Sequence, residues 1–285
     1  MRKPWILRPP EAELTPRLYP DFEVAMASDP GRKRRAKRNQ DSIGIVPGDP
    51  DRDLPFLLIV ADGMGGHIGG EIASRRVVEA ITTCYWESES GEDLPGLLNT
   101  CIGTALASLR AYAARHPSHA SMGSTVVLAT VYNGQATVAN VGDSRAYLVR
   151  GEEMIQLSLD HSVVADLVRA GLISDLDARN HPNRNRLTQS ITPKRREVTP
   201  HISQEPFQRD DVLLLCTDGL WGVVPESIMR ALAVELPPRE AVKRMISLAN
   251  QNGGPDNISV VIARRRDFQP PVEPGDETDM EVAAG

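Results

Sequence analysis

Short apolar segments bounded by turn residues recur along the chain and predict β-strands. Each is rich in Val, Ile or Leu, and the six are Pro55–Ala61, Ser124–Tyr132, Gln135–Val141, Arg145–Arg150, Val212–Cys216 and Ile258–Arg264. Asn133-Gly134 joins two of them and is typical of a tight hairpin turn, and Arg150-Gly151 marks another hairpin. Consecutive hairpins indicate antiparallel sheets.

Two longer segments, Glu71–Trp86 and Leu94–His116, repeat their apolar residues at three- and four-residue spacing and predict helices. A third helix is expected after Pro225 and a fourth over Pro238–Asn250. These helices do not alternate regularly with strands. The pattern therefore predicts an α+β fold with antiparallel sheets and separate helices.

The patterned region is continuous, and we interpret residues 21–267 as one domain. Residues 1–20 contain five prolines and no periodic pattern, so we expect an extended leader. Residues 268–285 combine prolines with acidic residues and predict a disordered tail.

Composition narrows the class of protein. With 41% hydrophobic residues among 285 the chain has ample material for a core, and its net charge of -6 argues against nucleic-acid binding as its general function. Three widely spaced cysteines predict neither a disulfide framework nor a zinc site, which favours the cytoplasm. No apolar run approaches the ~20 residues that span a bilayer, so no membrane association is expected.

Five aspartates lie at the edges of apolar segments. Asp62 and Asp218 each follow a predicted strand and precede glycine, and Asp143 follows a third strand. Asp256 and Asp41 each precede an apolar stretch. A single Asp-Gly after a strand is more often only a turn, but five aspartates beside apolar segments, two of them in Asp-Gly pairs, indicate one cluster of carboxylates.

Clustered carboxylates repel one another, and a divalent cation resolves the conflict. A donor set of oxygens without Cys or His favours Mg²⁺ or Mn²⁺. In the stretch LLIVADGMGGHIGGEIAS (Leu57–Ser74), Asp62 would bind the metal and Gly63 would offer its carbonyl oxygen. A nucleotide-phosphate loop is the weaker interpretation, because no GxGxxG or GxxxxGK[ST] pattern is present.

These residues together resemble the bacterial form of the metal-dependent type 2C (PPM) serine/threonine protein phosphatase family. The resemblance covers roughly Phe22 to Arg265. Its motifs, in the family's order, are NQD (Asn39–Asp41), VADGMGGHIGGEIAS (Val60–Ser74), GST (Gly123–Thr125), NVGDSRAYLVR (Asn140–Arg150), LDHS (Leu159–Ser162), HPNRNRLTQSI (His181–Ile191), CTDGLW (Cys216–Trp221) and GGPDNISVV (Gly253–Val261).

The resemblance implies a four-layer α-β-β-α sandwich, with two antiparallel sheets between helices and a flap subdomain at about 161–192. It also implies two Mn²⁺ or Mg²⁺ ions as cofactors, and a third, weaker metal at Asp143 and Asp218. The implied protein ligands are the Gly63 carbonyl and the carboxylates of Asp62, Asp218 and Asp256, with Asp41 acting through bound water.

The implied reaction is hydrolysis of phosphoserine and phosphothreonine in proteins by a water activated between two cations. The implied partners are substrates of a serine/threonine kinase, in a signalling role, and the enzyme is expected to be a cytoplasmic monomer. One alternative is a catalytically silent regulatory or scaffold module, which predicts a missing carboxylate, yet all are present. The other is a hydrolase of small phosphoesters.

The sequence departs from the family at the arginine that binds the substrate phosphate. The family places it five residues before the aspartate of NQD, where this chain has Ala36. The preceding stretch is about two residues longer than usual, so Arg34 or Arg35 is expected to bind phosphate, with Arg34 slightly favoured. Arg38 is the weaker alternative.

The run RKRRAKR over Arg32–Arg38 is strongly basic. Beside a metal site it favours attraction of a phosphopeptide, with a solvated face as the main alternative and nucleic-acid binding as a minor one. His161 and His181 are expected to hold local structure rather than to catalyse. Met64 occupies the position at which animal members of the family have histidine.

Overall fold

A computed structural model describes residues 21–265 and residue 267. The predicted leader (1–20) and tail (268–285) lie outside the described residues. Strands in the described part are β1 Phe22–Asp29, β2 Asp41–Val46, β3 Leu57–Met64, β4 Gly123–Ser124, β5 Val126–Tyr132, β6 Gln135–Val141, β7 Arg145–Arg150, β8 Glu153–Gln156, β9 His201–Pro206, β10 Val212–Cys216 and β11 Ile258–Arg265. Helices are α1 Gly66–Trp86, α2 Leu94–Arg115, α3 Val163–Arg169, α4 Asp175–Asn180, α5 Asp218–Trp221, α6 Glu226–Glu235 and α7 Pro238–Gln251.

The strands form two antiparallel sheets. The first sheet has the order β1-β11-β10-β7-β8, and the second has the order β2-β3-β5-β6-β9, with the short β4 paired to β3. Apolar side chains from both sheets meet in a central core that includes Leu58, Val127 and Leu215. A second core joins β3 to α1 and α2, and a third joins β10 and β11 to α6 and α7. The predicted four-layer sandwich is therefore confirmed.

The middle strands are mostly apolar because both of their faces are buried. In β3, Leu57, Ile59 and Ala61 pack toward the helices, whereas Leu58 and Val60 pack toward the other sheet. Successive side chains of a strand point to opposite faces. A strand inside a four-layer sandwich therefore carries apolar residues on both faces.

The predicted bounds of β6, β7 and β10 agree with the structure, but the strands at β1 and β9 were not predicted. Both lie at sheet edges, and most of their residues are only partly buried. An edge strand with one sheet neighbour needs fewer apolar residues. Its sequence therefore carries a weaker signal than that of a central strand.

The prediction that α1 begins at Glu71 was wrong, because the helix begins at Gly66. Gly66, Gly69 and Gly70 therefore lie in its first turns. Glycine is required where the end of β3 meets this turn, because a Cβ atom at Gly63 would lie 2.0 Å from the Gly70 carbonyl oxygen.

The segment expected to form the flap contains two short helices, α3 and α4. Ser174 caps α4 through a reciprocal pair of hydrogen bonds with Asp177. A bridge from Ser124 to Ile191 attaches the segment to the sandwich, and a bridge from Ser162 to Leu187 joins two parts of the segment to each other. No helix in the described part of the chain combines the length and apolar character needed to span a membrane.

Candidate active site

The second sheet contributes two aspartates through its register. Asp41 begins β2 and lies directly opposite Asp62 in β3. The Asp62 N–H donates to the Thr125 hydroxyl at 3.0 Å, and the Thr125 N–H donates to the Asp62 carbonyl at 2.8 Å. These two bonds fix the backbone of Asp62 where β3 leaves the sheet.

The first sheet supplies Asp218 and Asp256 from neighbouring strands. Asp218 begins α5 just after β10, and Asp256 lies in the loop just before β11. Asp143 lies between β6 and β7, where the chain crosses from one sheet to the other. The structure thus brings all five predicted aspartates to one end of the sandwich. We call Asp41, Asp62, Asp143, Asp218 and Asp256 the carboxylate cluster.

Burial and mutual repulsion dominate the electrostatics of this cluster. Burial raises the pKa of Asp62 well above its ordinary value, and the charges of Asp41 and Asp218 raise it further. Burial also raises the pKa of Asp143, with Asp218 the next cause. Burial followed by Asp256 raises the pKa of Asp218 to about 6. The folded chain alone does not compensate the negative charges.

Asp41 is held by two hydroxyl groups that sequence reasoning missed. Its Oδ2 accepts hydrogen bonds from the Ser259 hydroxyl at 2.7 Å and the Thr217 hydroxyl at 2.9 Å. Burial nevertheless raises the pKa of Asp41 to about 7. Thr217 lies directly before Asp218, and Ser259 is the second residue of β11. No pattern in the sequence indicates that either hydroxyl contacts Asp41.

Two oxygens of the cluster are well suited to a cation. Among the described residues, Asp41 Oδ1 and Asp218 Oδ1 are buried and accept no hydrogen bond. An unsatisfied buried carboxylate oxygen is costly, and a hard cation would satisfy it. Within the described residues, no group of three or more His, Cys, Asp or Glu side chains is close enough to hold a metal ion by itself. The unpaired oxygens of Asp41 and Asp218 nevertheless fit a hard cation such as Mg²⁺ or Mn²⁺, which takes oxygen ligands.

Arg34 is the basic-run residue that reaches the cluster. Its Nη1 lies 2.7 Å from Asp256 Oδ1, and its side chain is 34% exposed. The neighbouring Lys33 N–H donates to the Gly254 carbonyl at 2.9 Å, which anchors this loop beside Asp256. Arg35 is exposed, and Arg38 forms an ion pair with Glu71 at 3.0 Å. The geometry favours Arg34 over Arg35.

A cleft of about 730 Å³ extends from Asp143 and Asp218 to the flap. Arg145 forms one wall, stacking 3.6 Å from the Trp221 ring centre and bonding both oxygens of Asp160. Trp221 Nε1 donates to the Asp143 carbonyl at 3.0 Å. This Arg145–Trp221 contact braces the Asp143 turn. Its role was not apparent from the sequence.

The two histidines make the structural contacts that were expected of them. His161 Nδ1 accepts a hydrogen bond from the Gly142 N–H at 3.1 Å. His181 Nδ1 accepts one from the Asn183 N–H at the same distance. Both therefore stabilise turns around the cleft. Arg184 and Arg186 are both exposed, and Arg184 lies at the rim of the cleft.

Comparison with known proteins identifies the family. The model of the family described as protein phosphatase 2C matches residues 30–259. The chain belongs to this family. It is 37% identical over 247 residues to the serine/threonine phosphatase stp of Listeria innocua serovar 6a, covering 85% of this chain and 95% of that protein.

Solved structures agree with this assignment. The serine/threonine phosphatase Stp1 from Staphylococcus aureus has a TM-score of 0.78 and 31% identity, covering 85% of this chain and 94% of that one. The catalytic domain of the phosphatase PstP, in complex with two manganese ions, has a TM-score of 0.75 and 30% identity, covering 86% and 98%. The predictions of a bacterial type 2C family member and of a protein-serine/threonine phosphatase are confirmed.

Proposed function

We propose that the carboxylate cluster binds divalent cations, Mn²⁺ or Mg²⁺, with which this phosphatase hydrolyses phosphoserine and phosphothreonine in proteins. The observation that carries the proposal is that five buried or half-buried aspartates from both sheets lie at one end of the sandwich, where two of their oxygens accept no hydrogen bond. The related catalytic domain that was solved with two manganese ions supports a pair of cations here.

The chain's own residues would divide the work by position. Asp62 and the Gly63 carbonyl lie at the end of β3, and Asp218 and Asp256 face them from the first sheet. Asp41 is held by Ser259 and Thr217 and would orient water molecules around the cations. Divalent cations bound there would supply a water of lowered pKa and would stabilise negative charge on the phosphoryl oxygens.

Arg34 is proposed to hold the substrate phosphate. A guanidinium has five N–H donors, and the contact with Asp256 uses Nη1. The other donors can form a bidentate contact with phosphate oxygens. Asp256 would then keep Arg34 pointed at the reacting group in the absence of substrate.

The cleft beside the cluster is the proposed path of the phosphopeptide. Its wall on the flap carries Val164 and Val168, and its opposite wall carries Trp221 and Val224. Arg184 adds a positive charge on the flap side. The basic run of Arg32–Arg38 lies by the loop of Asp256 and would attract a negatively charged substrate.

Asp143 is proposed to hold a third, weaker cation together with Asp218. Both line the cleft, and the charge of Asp218 raises the pKa of Asp143. Asp143→Ala should retain two tightly bound Mn²⁺ ions by calorimetry, lose most turnover and keep its melting temperature. Normal turnover with a lower melting temperature would instead assign Asp143 to the turn.

We propose a cytoplasmic monomer that reverses the action of a serine/threonine kinase in signalling. The three cysteines are free, as is usual in a reducing compartment. In the described part of the chain, strongly exposed large apolar side chains are limited to Leu172, Leu176 and Ile228. So little exposed apolar surface supports a monomer.

The function is tested by phosphate release from a phosphothreonine peptide and from a free phosphorylated metabolite. We expect release from the peptide with Mn²⁺ or Mg²⁺ and none with chelator, with the metabolite a much poorer substrate. Asp62→Asn is the control for contaminating activity. Preference for the metabolite would favour the small-phosphoester alternative. A folded protein that binds cations but releases no phosphate from either would favour the silent module.

A further inference from the structure

Cys84 and Cys101 lie side by side where α1 packs against α2. The Cys101 thiol donates to the Cys84 sulfur, and the two sulfurs are 2.7 Å apart. Thr104 donates its hydroxyl to Cys84 at 3.8 Å. Since a disulfide has an S–S distance of about 2.05 Å, the sulfurs must approach by about 0.7 Å to bond. That approach is a small side-chain movement.

The surroundings of the two sulfurs divide their roles. Cys84 is partly exposed, whereas Cys101 is buried. The hydrogen bond from Cys101 lowers the pKa of Cys84 to about 7, and the same contact, with burial, raises the pKa of Cys101. Cys84 is therefore both accessible and nucleophilic. No third side chain in the described structure completes a metal site around the pair.

We propose that Cys84 and Cys101 form a site of reversible oxidation by peroxide that links α1 to α2 through an intrachain disulfide. The Cys84 thiolate attacks one peroxide oxygen and the O–O bond breaks, which forms a sulfenic acid and hydroxide. The hydroxide takes up the proton that the Cys84 thiol had released and leaves as water. The Cys101 thiol then attacks the sulfenic sulfur and expels the oxygen, which leaves with the Cys101 proton as a second water. Two thiols are thus oxidised to one disulfide while one peroxide is reduced to two waters.

The position of the pair indicates stabilisation rather than inactivation. Cys84 lies near the C-terminal end of α1, about 20 Å along the helix from Gly70 at the cluster. The bond would close the chain segment that includes the α1–α2 connection, which restricts the unfolded chain. We expect the oxidised protein to melt about 5 °C higher, with turnover changed by less than about 2-fold because the cluster is distant.

The test uses the purified full chain, reduced and then treated with hydrogen peroxide. Denatured samples are labelled with a maleimide, and their intact masses are measured by mass spectrometry. The reduced protein should take up three labels, one for each cysteine. The oxidised protein should take up one, with a peptide joining Cys84 to Cys101, and dithiothreitol should restore all three.

Two variants make the test specific. Cys216→Ser removes the remaining cysteine, which is buried in β10, and should still form the disulfide. Cys84→Ser changes the partly exposed partner and should show neither the disulfide nor the rise in melting temperature. Interchain dimers, a Cys84 sulfinic acid beside an unreacted Cys101, or a melting temperature that falls on oxidation would each overturn the proposal.

Discussion

The protein buries aspartates in two opposite ways. Asp211 and Asp160 are each bound by an arginine: Arg150 contacts both oxygens of Asp211, and Arg145 contacts both oxygens of Asp160. In the carboxylate cluster, by contrast, burial and neighbouring carboxylates raise the pKa values. Arg34 reaches only its edge, at Asp256.

The presence or absence of an arginine partner distinguishes aspartates that stabilise the fold from aspartates that are suited to bind a ligand. The charge of a carboxylate with an arginine partner is compensated inside the fold. Removing either partner leaves the other as an uncompensated buried charge, which is strongly destabilising. A carboxylate in the cluster is compensated only in part by the fold, and a bound cation would supply the rest. The same residue type therefore stabilises the fold in one region and prepares it for cation binding in the other.

The largest expected effect comes from removing charge within the cluster. Asp62→Asn and Asp218→Asn should each lower turnover by about 10³-fold or more, because a cation ligand is lost. In chelator their melting temperatures should equal or exceed that of the unmodified protein, since repulsion is relieved. Near-normal turnover at saturating Mn²⁺ in either variant would contradict the site.

Removing charge from an aspartate that is bound by an arginine should instead lower stability and leave catalysis unchanged. Asp211→Asn should lower the free energy of unfolding by about 2 kcal/mol, because it breaks a largely buried ion pair. Its kcat/KM should change by less than about 2-fold, since Asp211 and Asp218 lie at opposite ends of β10. Denaturant unfolding measures the free energy of unfolding, and kinetics with a phosphothreonine peptide measure kcat/KM. A catalytic loss at unchanged stability would contradict the structural role of Asp211.

Arg34 tests the border of the cluster. Arg34→Ala should raise the KM for a phosphothreonine peptide about tenfold and lower kcat less, because a phosphate contact is lost from both ground and transition states. Arg35→Ala is the matched control, an exposed arginine one residue away, and should be nearly silent. If the two variants exchange these effects, the phosphate ligand has been placed one residue too early.

The smallest effect is expected at His161, which adjoins both regions. Burial lowers its pKa, and His201 and Arg169 lower it further, while Asp160 and Asp166 oppose them. Below about pH 6.5 the unfolded chain would take up a proton that the folded chain resists, so stability falls as the pH falls through the folded pKa. Above about pH 6.5 the stabilising contribution of neutral His161 is fully present.

His161→Asn can keep an acceptor for the Gly142 N–H but cannot titrate. The stability advantage of the unmodified protein over this variant should therefore shrink between about pH 7.5 and pH 5.5. Urea unfolding across that range measures it. The carboxylates are common to both proteins, so a constant difference would show that His161 does not titrate as expected.

The sequence by itself determined the central strands, the family and the members of the cluster. β6, β7 and β10 could be delimited because their signals, apolar runs and turn residues, are local. The five aspartates could be predicted to gather because each adjoins such a run. Repeated local signals in a fixed order were sufficient for these conclusions.

Only the tertiary structure decided the remaining features, because each depends on residues far apart in the chain. The support of Asp41 comes from Thr217 and Ser259, on the other sheet. Arg34 reaches Asp256 because its loop is bonded to the chain at Gly254. No local sequence pattern predicts these contacts, since they form only when the two sheets pack together.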